Sequence, residues 1–147
     1  MEGKEQYRAK LTPTQWRVAM ENGTEQPGSG EYVNNKEDGV YYSIAAGAPL
    51  FSSQDKFDSG TGLPSFSKVI VDSNVKEITD STHGMQRTEV RSGDDDIHLG
   101  HVFNDWPSNK GGMRYCINSA SLKFVPKDDL SKEDQIKYGF LEVEENK

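Results

Sequence analysis

The chain has a single cysteine, Cys116, set in the run Met113-Arg114-Tyr115-Cys116-Ile117-Asn118. Apolar residues at 115 and 117 read as a β-strand. Alternation then puts Arg114, Cys116 and Asn118 on one face, with Tyr115 and Ile117 on the other. A guanidinium, a thiol and an amide share that surface. The nucleophilic form of a thiol is the thiolate, and a neighbouring Arg favours it. The competing reading is an inert thiol, since free Cys is among the most buried residue types. Two of the three histidines stand in His98-Leu99-Gly100-His101-Val102-Phe103-Asn104-Asp105. A regular strand would send 98 and 101 to opposite faces, but Gly100 allows a bend that brings both imidazoles together. Asp105 is close enough in sequence to orient one of them. Together these residues suit attack on a polar electrophile: the thiolate attacks, the imidazoles move protons, and the cation and amide hold charge or water. A peptide carbonyl, a disulfide, a peroxide and a sulfoxide all fit that kit. Two His and a carboxylate also suit iron or zinc, and a surface loop would account for them without chemistry. The third histidine, His83, beside Gly84, reads as structural.

Positioning these groups requires a frame. Thr12-Pro13-Thr14-Gln15 predicts a helix over about 11–23, with Thr12 as N-cap, Pro13 at the first helical position and Gln15 completing a capping box. Trp16, Ala19 and Met20 form its apolar stripe, and Asn22-Gly23 ends it. Residues 24–35 read as a loop. Short β-like runs follow at Val40–Ile44, Phe66–Val71, Met85–Arg91 and Met113–Val125, separated by Gly, Pro, Ser and Asp clusters. That pattern predicts a mainly β domain of antiparallel strands. Ser131-Lys132-Glu133-Asp134 is suited to cap a short acidic helix before the tail frays. The expected organisation is one domain over residues 1–147: a helical arm at about 5–23, a β core at about 36–126 and an acidic tail at 127–147.

Bulk properties narrow the function. With 147 residues the chain can bury a core without staples. A formal charge of −7 argues against nucleic acid, whose phosphates need clustered Lys and Arg. One cysteine excludes an internal disulfide and a multi-cysteine zinc site. No apolar run reaches the length of a membrane span, and no signal peptide follows Met1-Glu2-Gly3-Lys4-Glu5-Gln6. A cytoplasmic monomer is the expectation.

Several blocks, read in order, resemble methionine sulfoxide reductase B: Gly39-Val40-Tyr41, Pro49-Leu50-Phe51, Lys56-Phe57-Asp58-Ser59-Gly60, Pro64-Ser65-Phe66, His83-Gly84-Met85, His98-Leu99-Gly100-His101-Val102-Phe103 and Arg114-Tyr115-Cys116-Ile117-Asn118-Ser119. The resemblance spans about residues 14–126, and the last two blocks carry most of its specificity. It implies two antiparallel β-sheets and reduction of the R epimer of methionine sulfoxide in proteins, a repair of oxidative damage. On that resemblance the Cys116 thiolate attacks the sulfoxide sulfur, and His101, assisted by His98, supplies the proton that the leaving oxygen needs. Asp105 and Arg114 match residues that orient the imidazole and support the thiolate, and Asn118 matches one that positions water or substrate. Val102, Phe103 and Phe66 match the apolar wall around the substrate methyl. The product would be methionine with Cys116 as a sulfenic acid.

The chain also departs from that pattern. Many members carry a resolving cysteine and a pocket Trp in Asp-Ser-Gly-Cys-Gly-Trp-Pro-Ser-Phe, whereas here Thr61 and Leu63 stand at those two positions. Leu63 keeps an apolar wall but loses aromatic area. Trp106 follows Asp105 where members usually have Gly, and an indole there could rebuild the pocket from another side. The positions matching the zinc cysteines of metal-containing members are Ser43, Ala46, Ser92 and Asp95, which make no four-ligand zinc site. No metal or cofactor is therefore expected. The expected partners are oxidised proteins and an external thiol: thioredoxin, glutaredoxin with glutathione, or dithiothreitol in vitro. Two other readings fit the same residues: a binding module that keeps the fold and has lost turnover, and a thiol peroxidase.

Overall fold

The computed structural model describes residues 9, 11–21, 23–25, 28, 30–45, 47–58, 62–70, 74–81, 87–93, 96–104 and 113–141. Thr61, His83, Asp105, Trp106, Asn22, Ala46 and Asp95 lie outside the described residues, as do the start of the arm and the end of the tail.

Helix α1 (Pro13–Met20) begins as its sequence requires: Gln15 N–H donates to the Thr12 hydroxyl at 3.1 Å, and Thr12 N–H donates to Gln15 Oε1 at 2.9 Å. Its buried residues are Val18 and Ala19, with Met20 packed at the edge of the core and Trp16 only half-buried. The expected stripe therefore turns by one position, and the helix is capped at Glu21 before it reaches Gly23. A second helix, α2 (Lys132–Lys137), starts at Ser131, whose hydroxyl accepts from Asp134 N–H at 3.0 Å.

Nine strands form two antiparallel sheets among the described residues: β1 (Gly39–Ser43), β2 (Pro49–Ser52), β3 (Lys56–Phe57), β4 (Ser65–Phe66), β5 (Val75–Asp80), β6 (Arg87–Ser92), β7 (His98–Phe103), β8 (Arg114–Ile117) and β9 (Leu122–Pro126). The orders are β2-β1-β9 and β3-β4-β8-β7-β6-β5. This is the mainly β architecture expected. Two strand readings change in detail. The run Met113–Val125 divides into β8 and β9, one in each sheet, because a 3-10 turn at Ser119–Ser121 turns the chain over. After Phe66 the expected strand stops, and Ile70 N–H bonds instead to the Leu50 carbonyl at 2.9 Å.

Between the sheets lies an aromatic core. Phe66 stacks on Phe51 with ring centres 4.5 Å apart and meets Tyr41 edge-on at 5.2 Å, and Phe51 lies 5.8 Å from Tyr115. Leu50, Val90, Ile97, Leu99, Ile117 and Leu122 complete it. Burying one such side chain stabilises the fold by roughly 1.5–3 kcal/mol, and Leu99 on β7 with Tyr115 and Ile117 on β8 anchor the two central strands in this core. No described helix is long and apolar enough to cross a membrane.

Candidate functional site

Strand register assembles the site. Ser65 on β4, Cys116 on β8, His101 on β7 and Glu89 on β6 are successive cross-strand partners, a single row across the larger sheet. One step along, Phe103 on β7 faces Arg114 on β8, with the guanidinium carbon 4.5 Å from the ring centre. Alternation sends the other members of these strands, Val102 and Tyr115, into the core. The expected shared face of Arg114 and Cys116 is thus present, and Asn118, just beyond the strand end, lines the same cavity.

Cys116 is buried and lines that cavity, which holds about 200 Å³ and is lined also by Thr24, Leu63, Arg87, Gly100, His101, Phe103, Arg114 and Asn118. Drug-sized ligands occupy pockets of roughly 300–1,000 Å³, so this one suits a single side chain. Arg114 Nη1 donates to Cys116 Sγ at 3.0 Å, and Ser65 Oγ lies 3.6 Å from the same sulfur. Of the apolar wall expected from sequence, Leu63 and Phe103 face the cavity. Val102 and Phe66 do not: strand alternation turns Val102 to the core, and Phe66 is fully buried between Phe51 and Tyr41, so both support the site from beneath.

The two histidines do share a face, with ring centres 5.7 Å apart. Their convergence comes from a bulge: Val90 pairs with Gly100 and Arg91 with His98, so Leu99 is an extra residue on β7 and the phase slips by one. Gly100 has another task. A Cβ there would strike the Cys116 carbonyl, so β8 can lie this close to β7 only past a glycine.

Each imidazole has a carboxylate partner on another strand. His98 Nδ1 lies 2.7 Å from Glu89 Oε2, which also accepts from Arg91 Nη1 at 2.6 Å, and Arg91 Nε donates to Asp96 Oδ1 at 2.9 Å. Burial pushes the His98 pKa down; the Glu89 carboxylate opposes this, while His101 and Arg91 add to it. His98 is accordingly suited to remain neutral, donating from Nδ1 to Glu89. His101 Nε2 lies 2.8 Å from Asp80 Oδ2 on β5, and Arg87 Nη2 is 3.6 Å from the same oxygen. Asp80 and Glu89 escaped sequence reasoning because neither is near a histidine in the chain. The alternation of Glu89 and Arg91 along one strand was the only available signal.

Asn118 is held at both ends of its amide. Nδ2 donates to the Leu99 carbonyl at 3.1 Å, and Oδ1 accepts from Glu25 N–H at 2.9 Å. The buried Glu25 carboxylate in turn accepts from Ser119 and Ala120 N–H, both at 2.9 Å, and so caps the 3-10 turn that separates β8 from β9. The amide is a brace that ties the loop after α1 to the strand ends behind the thiol. Glu25 was read only as part of a loop, and its burial at 4 % exposure was not legible. Among the described residues no group of three or more His, Cys, Asp or Glu is arranged to hold a metal ion.

A family model described as the SelR domain matches residues 11–126, a stretch that contains every residue of the cavity and of the two histidine pairs.

Proposed function

The chain belongs to the SelR domain family, the family of methionine-R-sulfoxide reductase B, and from that premise we propose that it reduces the R-sulfoxide of methionine residues in proteins with Cys116 as nucleophile. The observation that carries the reading is the thiol itself. It lines a side-chain-sized cavity, with the Arg114 guanidinium 3.0 Å from sulfur and His101 directly across the strand pair.

The reaction runs as follows. Cys116 Sγ, as thiolate, forms a bond to the sulfoxide sulfur, the S–O bond breaks as the oxygen takes up two protons, and water leaves. A water then adds at Sγ, releasing methionine and a proton and leaving Cys116 as sulfenic acid. The sulfoxide is reduced by two electrons and the thiol oxidised by two. His101 is the proton donor in this scheme and Arg114 the counter-charge. Positioned proton transfer contributes on the order of 10²–10⁴ in rate. Leu63, Phe103 and the aliphatic part of Arg87 offer apolar contact to the methyl and side-chain carbons. Asp105 and Trp106 are assigned by resemblance, to orient an imidazole and to close the pocket.

Recycling is a one-cysteine process, because the sequence holds no second thiol. An external thiol condenses with the sulfenic acid to a mixed disulfide, losing water, and a second thiol releases Cys116. Thioredoxin, glutaredoxin with glutathione, and dithiothreitol each have the chemistry to do so. No metal or cofactor takes part in this scheme.

One experiment tests the whole sequence. One equivalent of a peptide carrying methionine R-sulfoxide, given without reductant, should yield one equivalent of methionine and a dimedone adduct on Cys116 by mass spectrometry. The S epimer should be untouched and Cys116→Ser inert. Turnover by Cys116→Ser would refute the assignment.

A further inference from the structure

We propose that Asp80 is the positioning residue of His101, holding its Nε2 so that Nδ1 is the nitrogen that passes a proton to the sulfoxide oxygen. The inference rests on His101 being the proton donor and names the group that makes it one.

The geometry is unusual for an incidental ion pair. Asp80 ends β5, at the edge of the larger sheet, and His101 lies on β7, two strands away. At roughly 4.8 Å per strand the backbones are about 10 Å apart, so the two side chains meet above β6. Asp80 has a permanent cation as its own cross-strand partner, Arg87. Its Oδ2 nevertheless lies closer to the imidazole, at 2.8 Å, than to the guanidinium, at 3.6 Å. Both side chains of the His101–Asp80 pair are about 15 % exposed, so water screens the contact only in part.

Among the described residues, the charged groups around His101 leave Asp80 as its carboxylate. On β6, Glu89 is the direct cross-strand partner of His101, but its Oε2 is taken by His98 and Arg91. Arg87, also on β6, faces Asp80. On β7 itself His98 lies alongside, and on β8 stand Cys116 and Arg114. The two imidazoles are therefore gripped by different carboxylates through opposite nitrogens: His98 by Nδ1, His101 by Nε2. A carboxylate on one nitrogen fixes the ring plane and tautomer and stabilises the imidazolium, which is what a proton donor needs. In the step itself the Nδ1–H bond breaks as the oxygen–hydrogen bond forms, Asp80 stays ionised, and the imidazole is reprotonated from water.

The test uses Asp80→Asn and Asp80→Glu in the full chain, with two independent readouts. The first is the single-turnover rate of R-sulfoxide reduction against pH. The second is the His101 tautomer and the hydrogen bond at its Nε2, read by nitrogen-15 NMR in the free enzyme, which needs no activity. Asp80→Asn takes the carboxylate away from Nε2, so the nitrogen-15 shifts of the His101 ring should move and its single tautomer should be lost. The single-turnover rate near neutral pH should fall at least tenfold with KM little changed, because the lost interaction concerns proton delivery. Asp80→Glu should recover part of both. An unchanged His101 nitrogen-15 pattern and an unchanged rate in Asp80→Asn would overturn the proposal. His101→Gln separates it from its premise: a wild-type single-turnover rate there would sink the proton-donor reading, while the NMR shift would still decide whether Asp80 holds the ring.

Discussion

Gly100→Ala is the smallest change that should pull the site apart. An added Cβ would collide with the Cys116 carbonyl and lie 3.0 Å from Cys116 C and Ile117 Cα. All three are backbone atoms, so no rotamer change relieves the clash. Either β8 tilts away from β7 or the bulge at Leu99 rearranges. Over-packing a well-filled core costs about 1–3 kcal/mol, and a clash against paired strands belongs at the upper end. For a chain of this size 1 kcal/mol corresponds to roughly 2–4 °C in Tm, so a loss of about 5–10 °C is expected. The functional loss should be larger in proportion. His101 and Cys116 are register partners through this contact, and a displacement near 1 Å can cost on the order of 10²-fold in rate. Urea unfolding and single-turnover kinetics on the same preparation measure both. A variant with wild-type Tm and wild-type rate would refute the claim that β8 approaches β7 only past a glycine, and with it the account of how thiol and imidazole are brought together.

Two further outcomes are expected. The His98 pKa is lowered in the folded state, chiefly by burial, whereas an unfolded His titrates near ~6.5. Below that pH the unfolded chain binds a proton that the folded site resists, so the stability His98 contributes is present above about 6.5 and is lost as pH falls toward its folded pKa. Urea midpoints should decline as pH falls below about 6.5, and His98→Asn should flatten that slope; an equal slope in the variant would contradict the assignment. Glu25→Ala strips the partners from two backbone N–H groups, which at about 1–3 kcal/mol for each unsatisfied buried donor should lower stability by at least 2 kcal/mol, and a wild-type unfolding midpoint would show that the cap is dispensable.

What was legible in the sequence was what is local. The capping box of α1 needs only Thr12 and Gln15, three residues apart, and the shared face of Arg114 and Cys116 needs only strand alternation. The division of the run from Met113 to Val125 was not legible, because the break is imposed from outside: the Glu25 carboxylate, 94 positions from Ser119, caps the turn. The meeting of the two histidines was expected from a bend at Gly100. It is produced by an extra residue at Leu99, which only the pairing with β6 reveals. The resemblance assigns Phe66 and Val102 to the substrate wall, whereas period-two alternation turns both toward the core here.

The same logic explains how the site is built. Each chemically active side chain comes from a strand whose neighbours are buried, and each is held by a polar group from another strand: Cys116 by Ser65, with Arg114 beside it on β8, His98 by Glu89 and His101 by Asp80. The holders reach back to β4, β5 and β6, so the geometry of a three-residue constellation depends on the register of five strands. A single side chain on an isolated loop could supply the nucleophile. A multi-stranded antiparallel sheet in fixed register holds a buried thiol, a cation and two differently tethered imidazoles together. The aromatic stack of Phe51 and Phe66 beneath that sheet is therefore as much a part of the proposed chemistry as Leu63 above it, because any slip of β4 against β8 moves Ser65 away from the sulfur.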